Sequence, residues 1–496
     1  MRSLGHAALA GCGAVLAGLL AVSGARAESL ADAVTLAYET NPTLQAERAQ
    51  LRAVDEEYVQ AESGLRPQLS ASGSYTYQSG QISETGLHSF NASGSGETGV
   101  VSVSQPLYTG GKVTAEIDAA RADILAEREN LRRTEIGVLQ SVVGAYLDVR
   151  RDGEQLAISQ DNVNVLAAQL DETKARFDVG QLTQTDLSQS QARLAQARAQ
   201  LAASQSTLSQ ARAAYAAVVG QQPGELAPEP PIAAQLPPGI DAAFDAAERD
   251  NPDIRQAVDV ERASAARLAE AKSQTRPNVV LSGQYGYVAQ EEGVAAGGFN
   301  TGAGLYESQL GGSVTATVNV PLYTGGMTSS QIRQAAERDN VNRDAIETAR
   351  RQAMQAVSQA WSQLLGARAS RAADEEQVKS DTVALEGVRA EEKVGLRTIL
   401  DVLNAQQELE TSQLALVGAR HDEYVAAADV LAAVGVLDAK NLVPDTRLYD
   451  PKANFDKVRH APGWAPWEDA VGALDQVGAP RPAPEAPEEA APKVRE

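Results

Sequence analysis

Residues 394–404 read Val-Gly-Leu-Arg-Thr-Ile-Leu-Asp-Val-Leu-Asn, and a shorter copy of this stretch stands 215 residues earlier in the chain. In that copy, Val-Gly-Gln-Leu at 179–182 leads to Asp186, so the valine, glycine and aspartate of the two stretches are in register. The same shift aligns Pro-Leu-Tyr-Thr-Gly-Gly at 106–111 with the identical sequence at 321–326. Motifs that recur in the same order at one spacing indicate a tandem duplication.

Upstream of the Pro-Leu-Tyr motifs the shift is 210 residues, because Asn-Pro at 41–42 matches 251–252 and Arg-Pro at 66–67 matches 276–277. The sequence therefore predicts one unit of about 200 residues written twice. We assign repeat 1 to 28–220 and repeat 2 to 240–436. Between them lies a proline-rich linker, 221–239.

The two ends of the chain differ from the repeats. Residues 1–27 have Arg2, a long apolar run and Ala-Arg-Ala before Glu28, which is typical of a secretory signal. A lipoprotein cleavage box at Cys12 is the alternative. We expect 437–477 to pack on the helices, and the Pro/Ala/Glu-rich tail at 478–496 to be disordered.

The composition excludes several classes of site. Cys12 is the only cysteine and the four histidines are scattered, so we expect no thiol chemistry, no metal and no cofactor. The net charge of -22, without a basic block that interleaves with aromatics, argues against nucleic acid as a partner.

Long helices follow each Pro-Leu-Tyr motif. From Gly111 the chain runs without proline to Gln222, which is room for two helices that meet at Val179-Gly180. The first would be nearly 70 residues long, or on the order of 100 Å at 1.5 Å per residue. We predict helical hairpins at about 110–220 and 325–436, with Gly180 in a left-handed turn.

Each repeat also contains a stretch with a period of two, at about 67–108 and 277–323. Apolar residues alternate with small polar ones, which predicts hairpins of about ten-residue strands, with a Gly/Ser-rich loop up to Thr98 in repeat 1. Tyrosines stand near the strand ends: Tyr75, Tyr77, Tyr285 and Tyr287.

These hairpins fit either a soluble, half-buried sheet or membrane strands. The export signal, the strand length, the small polar face and the terminal tyrosines favour membrane strands. After the signal, no apolar run reaches the roughly 18 to 20 residues of a membrane helix. Four strands cannot close a barrel, and an open edge in lipid leaves backbone groups unpaired. We therefore expect several copies of the chain to pool their strands.

The sequence resembles the TolC family of outer-membrane channel proteins. The resemblance rests on the signal, the duplication, the Asn-Pro and Arg-Pro marks, the paired Pro-Leu-Tyr-Thr-Gly-Gly junctions and the Val-Gly tips. This resemblance implies a mainly α fold with a β-barrel: a homotrimer whose 12-strand barrel lies in the outer membrane and continues as a 12-helix α-barrel across the periplasm. It implies a duct that works with a periplasmic adaptor protein and an inner-membrane ABC transporter, or with a proton-driven efflux pump.

The resemblance also implies roles for residues near the helical tips. By its position, Asp401 resembles the residue that forms an acidic ring at the closed entrance. The network that holds the inner hairpin shut would include Arg397, Asp186 and Gln169. Asn404 stands where a second acidic ring can occur, and Glu392 where an aromatic can occur. Tip residues would meet the adaptor: Val179, Gly180, Val394, Gly395 and Leu396.

A structural role remains open for the two aspartates. Asp186 and Asp401 each stand six residues after a tip glycine, near the start of a returning helix. Acidic residues at that position commonly stabilise the helix N-terminus.

The sequence leaves three alternatives to a channel for protein export. An enzyme is disfavoured, because Pro106 and Val113 break the phosphate-loop motif around Lys112. A structural periplasmic coiled coil or an adhesin would explain the helices but not the paired strands. Efflux of drugs is the alternative within the channel class. The segment 442–451 and the Trp464/Trp467 region resemble type I secretion members, which favours protein export.

Overall fold

A computed structural model describes residues 27–82, 90–293, 305–443, 448–459 and 465–479. The predicted signal up to residue 26, Trp464 and the tail from residue 480 lie outside these residues. Within them, both repeats have the same order of elements: two short helices, a β-hairpin and a helical hairpin. The predicted duplication and the mainly α fold class are confirmed.

Repeat 1 begins with a helix that breaks at Asn41-Pro42. Asn41 caps the second segment, since its side-chain oxygen accepts from the N–H of Thr43 at 2.9 Å. Proline suits the first position of a helix, because its missing N–H would have no partner there. The elements of this repeat are α1 (Leu30–Thr40), α2 (Pro42–Glu62), β1 (Gln68–Ile82), β2 (Phe90–Tyr108), α3 (Lys112–Asp178) and α4 (Gln184–Val219).

Repeat 2 follows the same plan. Its elements are α5 (Ile240–Asp250), α6 (Pro252–Ser273), β3 (Asn278–Gly293), β4 (Leu305–Asn319), α7 (Met327–Lys393) and α8 (Ile399–Val434). The described residues after it contain three short helices: α9 (Ala439–Leu442), α10 (Ala453–Val458) and α11 (Glu468–Asp475).

The four strands form one antiparallel sheet in the order β1-β2-β3-β4, so β1 and β4 are its edges. The strands have 15 to 19 residues, and the prediction of about ten was wrong. The loop predicted up to Thr98 was also wrong, because Phe90–Thr98 belongs to β2 and Gly94 lies opposite Gln78. The alternation of apolar and polar side chains shows only which face of a strand is apolar. The strands are longer than this alternation, because backbone pairing also continues through Gly and Ser residues.

Each helical hairpin packs along a narrow seam. The buried residues of α4 follow the predicted spacing of three and four up to Ala197 and again from Ser204, and large and small residues alternate at most of these steps. Leu201, the predicted seam residue between them, is only partly buried. The buried residues are Leu187, Ser190, Leu194, Ala197, Ser204, Leu208, Ala211, Tyr215 and Val219.

The main core lies at mid-height of the long helices and joins both repeats. Tyr146 of α3 and Tyr215 of α4 are fully buried there, beside Leu364 of α7 and Leu431 of α8. The Tyr146 hydroxyl donates to the carbonyl oxygens of Glu28 and Ala227, so the linker is bound to the same core.

The segment after repeat 2 packs on helices, and it also reaches the junction between β2 and α3. Phe455 meets the Tyr58 ring edge-on at 5.1 Å. Asp475, which is completely buried, accepts from the N–H of Thr109 at 2.6 Å and from the hydroxyls of Thr109 and Thr114 at 2.8 and 3.0 Å. The C-terminal segment thereby caps α3.

Candidate functional site

The two helical hairpins end in equivalent turns, which we name tip 1 (176–186) and tip 2 (391–401). Gly180 and Gly395 have φ angles of +76° and +79°, a region that other residues rarely adopt. The N–H groups of the glycine and of the next residue bind carbonyl oxygens of the last helical turn at 2.8 and 2.9 Å in both tips. The predicted left-handed turn at Gly180 is confirmed, and tip 2 repeats it.

Asp186 and Asp401 each complete a capping box. The Asp186 carboxylate accepts from the backbone N–H of Thr183 at 2.9 Å, and Asp401 accepts from that of Thr398 at the same distance. The N–H and hydroxyl of Thr398 donate to Asp401 and hold the pKa of its carboxyl below the ordinary value. Both aspartates therefore have the structural role that the sequence left open.

The residues predicted to form a closing network lie in separate places within one chain. Arg397 pairs with Glu391 of its own tip at 3.0 Å, and both side chains are about half exposed. Gln169 lies in the last third of α3, where its carbonyl oxygen accepts from the Thr173 hydroxyl at 2.8 Å. In the described part of one chain, Asp186, Arg397 and Gln169 are not joined.

A different set of contacts joins the two tips. Arg176 of tip 1 binds Glu392 of tip 2 at 2.5 Å, and the Glu392 side chain is only 12% exposed. Further along the hairpins, Arg193 of α4 donates to Asn404 of α8 at 3.0 Å and also to Gln407.

Glu392 and Asn404 are the two positions at which the sequence departs from the pattern of the family that it resembles. Both of them bind an arginine of repeat 1. Sequence reasoning missed these pairs, because Arg176 and Glu392 are 216 residues apart. The available signal was Glu392, an acid where an aromatic can occur. A carboxylate that becomes buried needs a cation nearby, which would have to come from the facing hairpin.

An apolar cluster supports these polar contacts. Leu166 of α3 and Leu194 of α4 pack against Ile399 and Leu403 of α8, and all four are buried. Tip 2 is thus bound to repeat 1 by packing as well as by charge.

The exposed residues of the tips include three large apolar side chains. Val179 and Val394 are each 70% exposed and Leu396 is 76% exposed. Exposed apolar side chains on adjacent turns are typical of a surface that binds another protein.

The four predicted interfacial tyrosines lie on one face of the sheet. Tyr285 is opposite Val101, and Tyr287 is opposite Leu310. Tyr75, Tyr77 and Tyr285 are more than half exposed, as are Leu69 and Val314 on the same face. This face carries solvent-exposed apolar side chains on all four strands, with Glu97 among them opposite Tyr75.

In the described ranges, no helix combines the length and apolar character needed to cross a bilayer. Over the same residues, no group of three or more His, Cys, Asp and Glu side chains is placed to hold a metal ion.

The family model of outer membrane efflux proteins matches residues 33–221 and 243–436, which are the two repeats. The chain is similar to the outer membrane efflux protein BepC of Brucella suis, with 34% identity over 92% of this chain and 95% of that one. It is 26% identical to the outer membrane protein TolC of Salmonella enteritidis over 84% of each chain.

A third relative is the alkaline protease secretion protein AprF of Pseudomonas aeruginosa, with 26% identity over 65% of this chain and 66% of that one. Among solved structures, the outer membrane protein VceC of Vibrio cholerae has the same fold. Its TM-score is 0.66 at 22% identity, over 82% of this chain and 96% of that one.

Proposed function

This chain belongs to the outer membrane efflux protein family, and we propose that three copies of it form the exit duct of a tripartite export system. As a member of this family it is an outer-membrane protein that extends into the periplasm, and its resemblance to the TolC family is confirmed.

The observation that carries the proposal is the open sheet. Its edge strands β1 and β4 each have one unpaired side, and its apolar face is exposed. A sheet in lipid must close, since each unpaired backbone group there costs several kcal/mol. Three copies would supply twelve strands, and their helical hairpins would continue the bore as twelve helices.

The entrance of this duct lies at the tips. Asp401, together with Asn404, would line the narrow end, and three Asp401 carboxylates around a pore would attract cations. Arg397, Asp186 and Gln169 would complete the closing network only through contacts between copies. Gly180 and Gly395 set the shape of the turns, on which Val179, Val394 and Leu396 would bind a periplasmic adaptor.

The energy for export would come from an inner-membrane partner, since a duct is passive. An ABC transporter is the partner expected for protein export, and a proton-driven pump is the one expected for drug efflux. Each would connect to the tips through the adaptor.

We propose proteins as the substrate class, exported by type I secretion. The named role of AprF in secretion of alkaline protease supports this choice. Efflux of small molecules is the second candidate, because BepC, at 34% identity, is named an efflux protein.

Deletion of the gene separates the two substrate classes. We expect the deletion strain to lose one or more secreted proteins while its drug susceptibility stays unchanged, and a plasmid copy of the gene to restore secretion. An unchanged set of secreted proteins with raised drug susceptibility would assign the chain to efflux instead.

A further inference from the structure

The contact between the two repeats of one chain is a template for the contact between copies. Within the chain, β2 pairs with β3, and α3 packs against α6. The duplication makes β4 equivalent to β2, α7 to α3, β1 to β3 and α2 to α6. The equivalent contacts would therefore join β4 and α7 of one copy to β1 and α2 of the next.

Two equivalent glycines at the strand-to-helix junctions allow the contact within the chain to be compared with the contact between copies. A Cβ atom placed on Gly110 would lie 2.8 Å from the Cβ of Arg276 and 3.3 Å from the carbonyl oxygen of Pro277. Gly325 is equivalent to Gly110 and has a similar φ of +65°, but no atom of the described chain lies within 4 Å of its Cβ position.

The residues equivalent to Arg276 and Pro277 are Arg66 and Pro67, of identical type. The Arg66 side chain is largely buried and pairs with Glu62 and Glu468 of its own chain, so the part of this surface that is exposed to meet Gly325 is Pro67. In a single chain these two surfaces belong to opposite sides of the protein, next to the sheet edges β4 and β1. A second copy of the chain is the occupant that fits both surfaces.

Charges give the contact its specificity. In the chain, Asp123 of α3 binds Arg267 of α6 at 2.5 Å. The equivalent positions hold Arg338 on α7 and Glu57 on α2, so the two signs are exchanged. Both of these side chains are exposed.

On the basis of the proposed ring of copies, we propose that α7 packs against α2 of the next copy and that Arg338 pairs there with Glu57 of the partner subunit. A neighbouring pair supports the same register. Glu116 and Glu270 interact across α3 and α6, and their equivalents Gln331 and Gln60 are amides that can hydrogen-bond to each other.

Because α3 and α6 already pack against each other within the chain, α2 and α7 are the helices left for a contact between copies. The contact of α7 with α2 would pair Arg338 with Glu57, so that opposite charges meet there as they do between α3 and α6.

Cross-linking tests the geometry. The only native cysteine is Cys12, so E57C/R338C can be treated with a short bismaleimide in native membranes and compared with the parent chain. We expect covalent dimers and trimers on denaturing gels, and none from E57C or R338C alone. The matched variant D123C/R267C should cross-link within one chain and stay at monomer mass.

The outcomes separate this inference from the proposed function. If the parent protein is a trimer by light scattering in detergent but E57C/R338C stays at monomer mass, the α7–α2 contact is wrong and the duct stands. If the parent protein is a monomer in lipid, both are wrong.

Charge exchange tests the energetics. E57R and R338E should each lower the fraction of SDS-resistant oligomer that survives heating, by up to about fivefold per pair, and E57R/R338E should restore it. A double variant as weak as the single variants would overturn the pairing.

Discussion

At the scale of single residues, Asp401 has an observed role as a helix cap and a proposed role at the entrance of the duct. Its carboxylate accepts the N–H and hydroxyl of Thr398 and so fixes the start of α8. It is partly exposed in tip 2, where the proposed duct has its entrance. A charge held by backbone donors at a helix N-terminus stays ionised, since its pKa is lowered. In the proposed entrance, this charge would attract cations.

We predict that Asp401→Ala lowers the cation selectivity of the channel and its blockade by multivalent cations, because three charges leave the entrance. Planar-bilayer recordings of reversal potential and blockade measure both effects.

Two variants separate charge from capping. Thr398→Ala removes the capping hydroxyl but keeps the carboxylate, and Asp186→Ala removes the equivalent capping box in tip 1. Both should retain blockade by multivalent cations. Asp401→Ala with unaltered selectivity would remove this residue from the entrance.

At the scale of elements, the tips are joined by one partly buried ion pair, while a second pair beside it is exposed. Arg176–Glu392 links the two hairpins, whereas Arg397–Glu391 lies within tip 2. Removal of one partner of a buried pair leaves a charge without compensation, and an exposed pair contributes little.

Glu392→Ala should therefore loosen tip 2 from repeat 1 and raise the single-channel conductance, because Arg176 loses its partner across the tips. Glu391→Ala, one residue away, is the matched control and should leave conductance unchanged. Equal conductance in the two variants would show that the Arg176–Glu392 pair does not restrain the tip.

The C-terminal segment contributes to the stability of the strand-to-helix junction through Asp475. In Asp475→Ala, the backbone and hydroxyl donors of Thr109 and Thr114 lose their buried acceptor, at a cost of about 1–3 kcal/mol. We expect a lower melting temperature and faster proteolysis near the junction. Asp469→Ala, at an exposed site of the same helix, should behave like the parent chain. A melting temperature equal to that of Asp469→Ala would contradict the capping role.

At the scale of the whole molecule, most of the architecture was predictable because the duplication repeats every landmark. The helix break at Asn41, the turn at Gly180 and the two hairpins of each repeat follow from local rules. Strand length was not predictable, since pairing continues beyond the apolar alternation. The partners of Glu392 and Asn404 were not predictable either, because they depend on how the two hairpins lie against each other.

His421 lies at a contact between the two repeats. This residue of α8 is largely buried, with Nε2 3.1 Å from Asp148 of α3 and Nδ1 2.9 Å from Asp422. The guanidinium of Arg151 is 3.5 Å away. Burial lowers the pKa of His421, but its hydrogen bonds to Asp148 and Asp422 outweigh burial and raise the pKa above the ordinary value.

Because the pKa of His421 is higher in the folded protein than in the unfolded chain, protonation of His421 raises the free energy of unfolding. This contribution is complete below the unfolded-state pKa of about 6.5 and is lost as the pH rises through the folded-state pKa. We therefore predict that the melting temperature falls as the pH rises above about 6.5. His421→Gln should flatten this dependence in thermal scans. A parent chain whose melting temperature does not change across this range would contradict the prediction.

The two repeats have long helices of identical length, since α3 and α7 each contain 67 residues and α4 and α8 each contain 36. In a closed ring, all six turns would then end in one plane and offer a level rim to whatever seals against it. An inserted heptad in one repeat would raise every second turn by about 10 Å and open gaps between them. A change in the length of such a helical duct would therefore require the same insertion or deletion in both repeats.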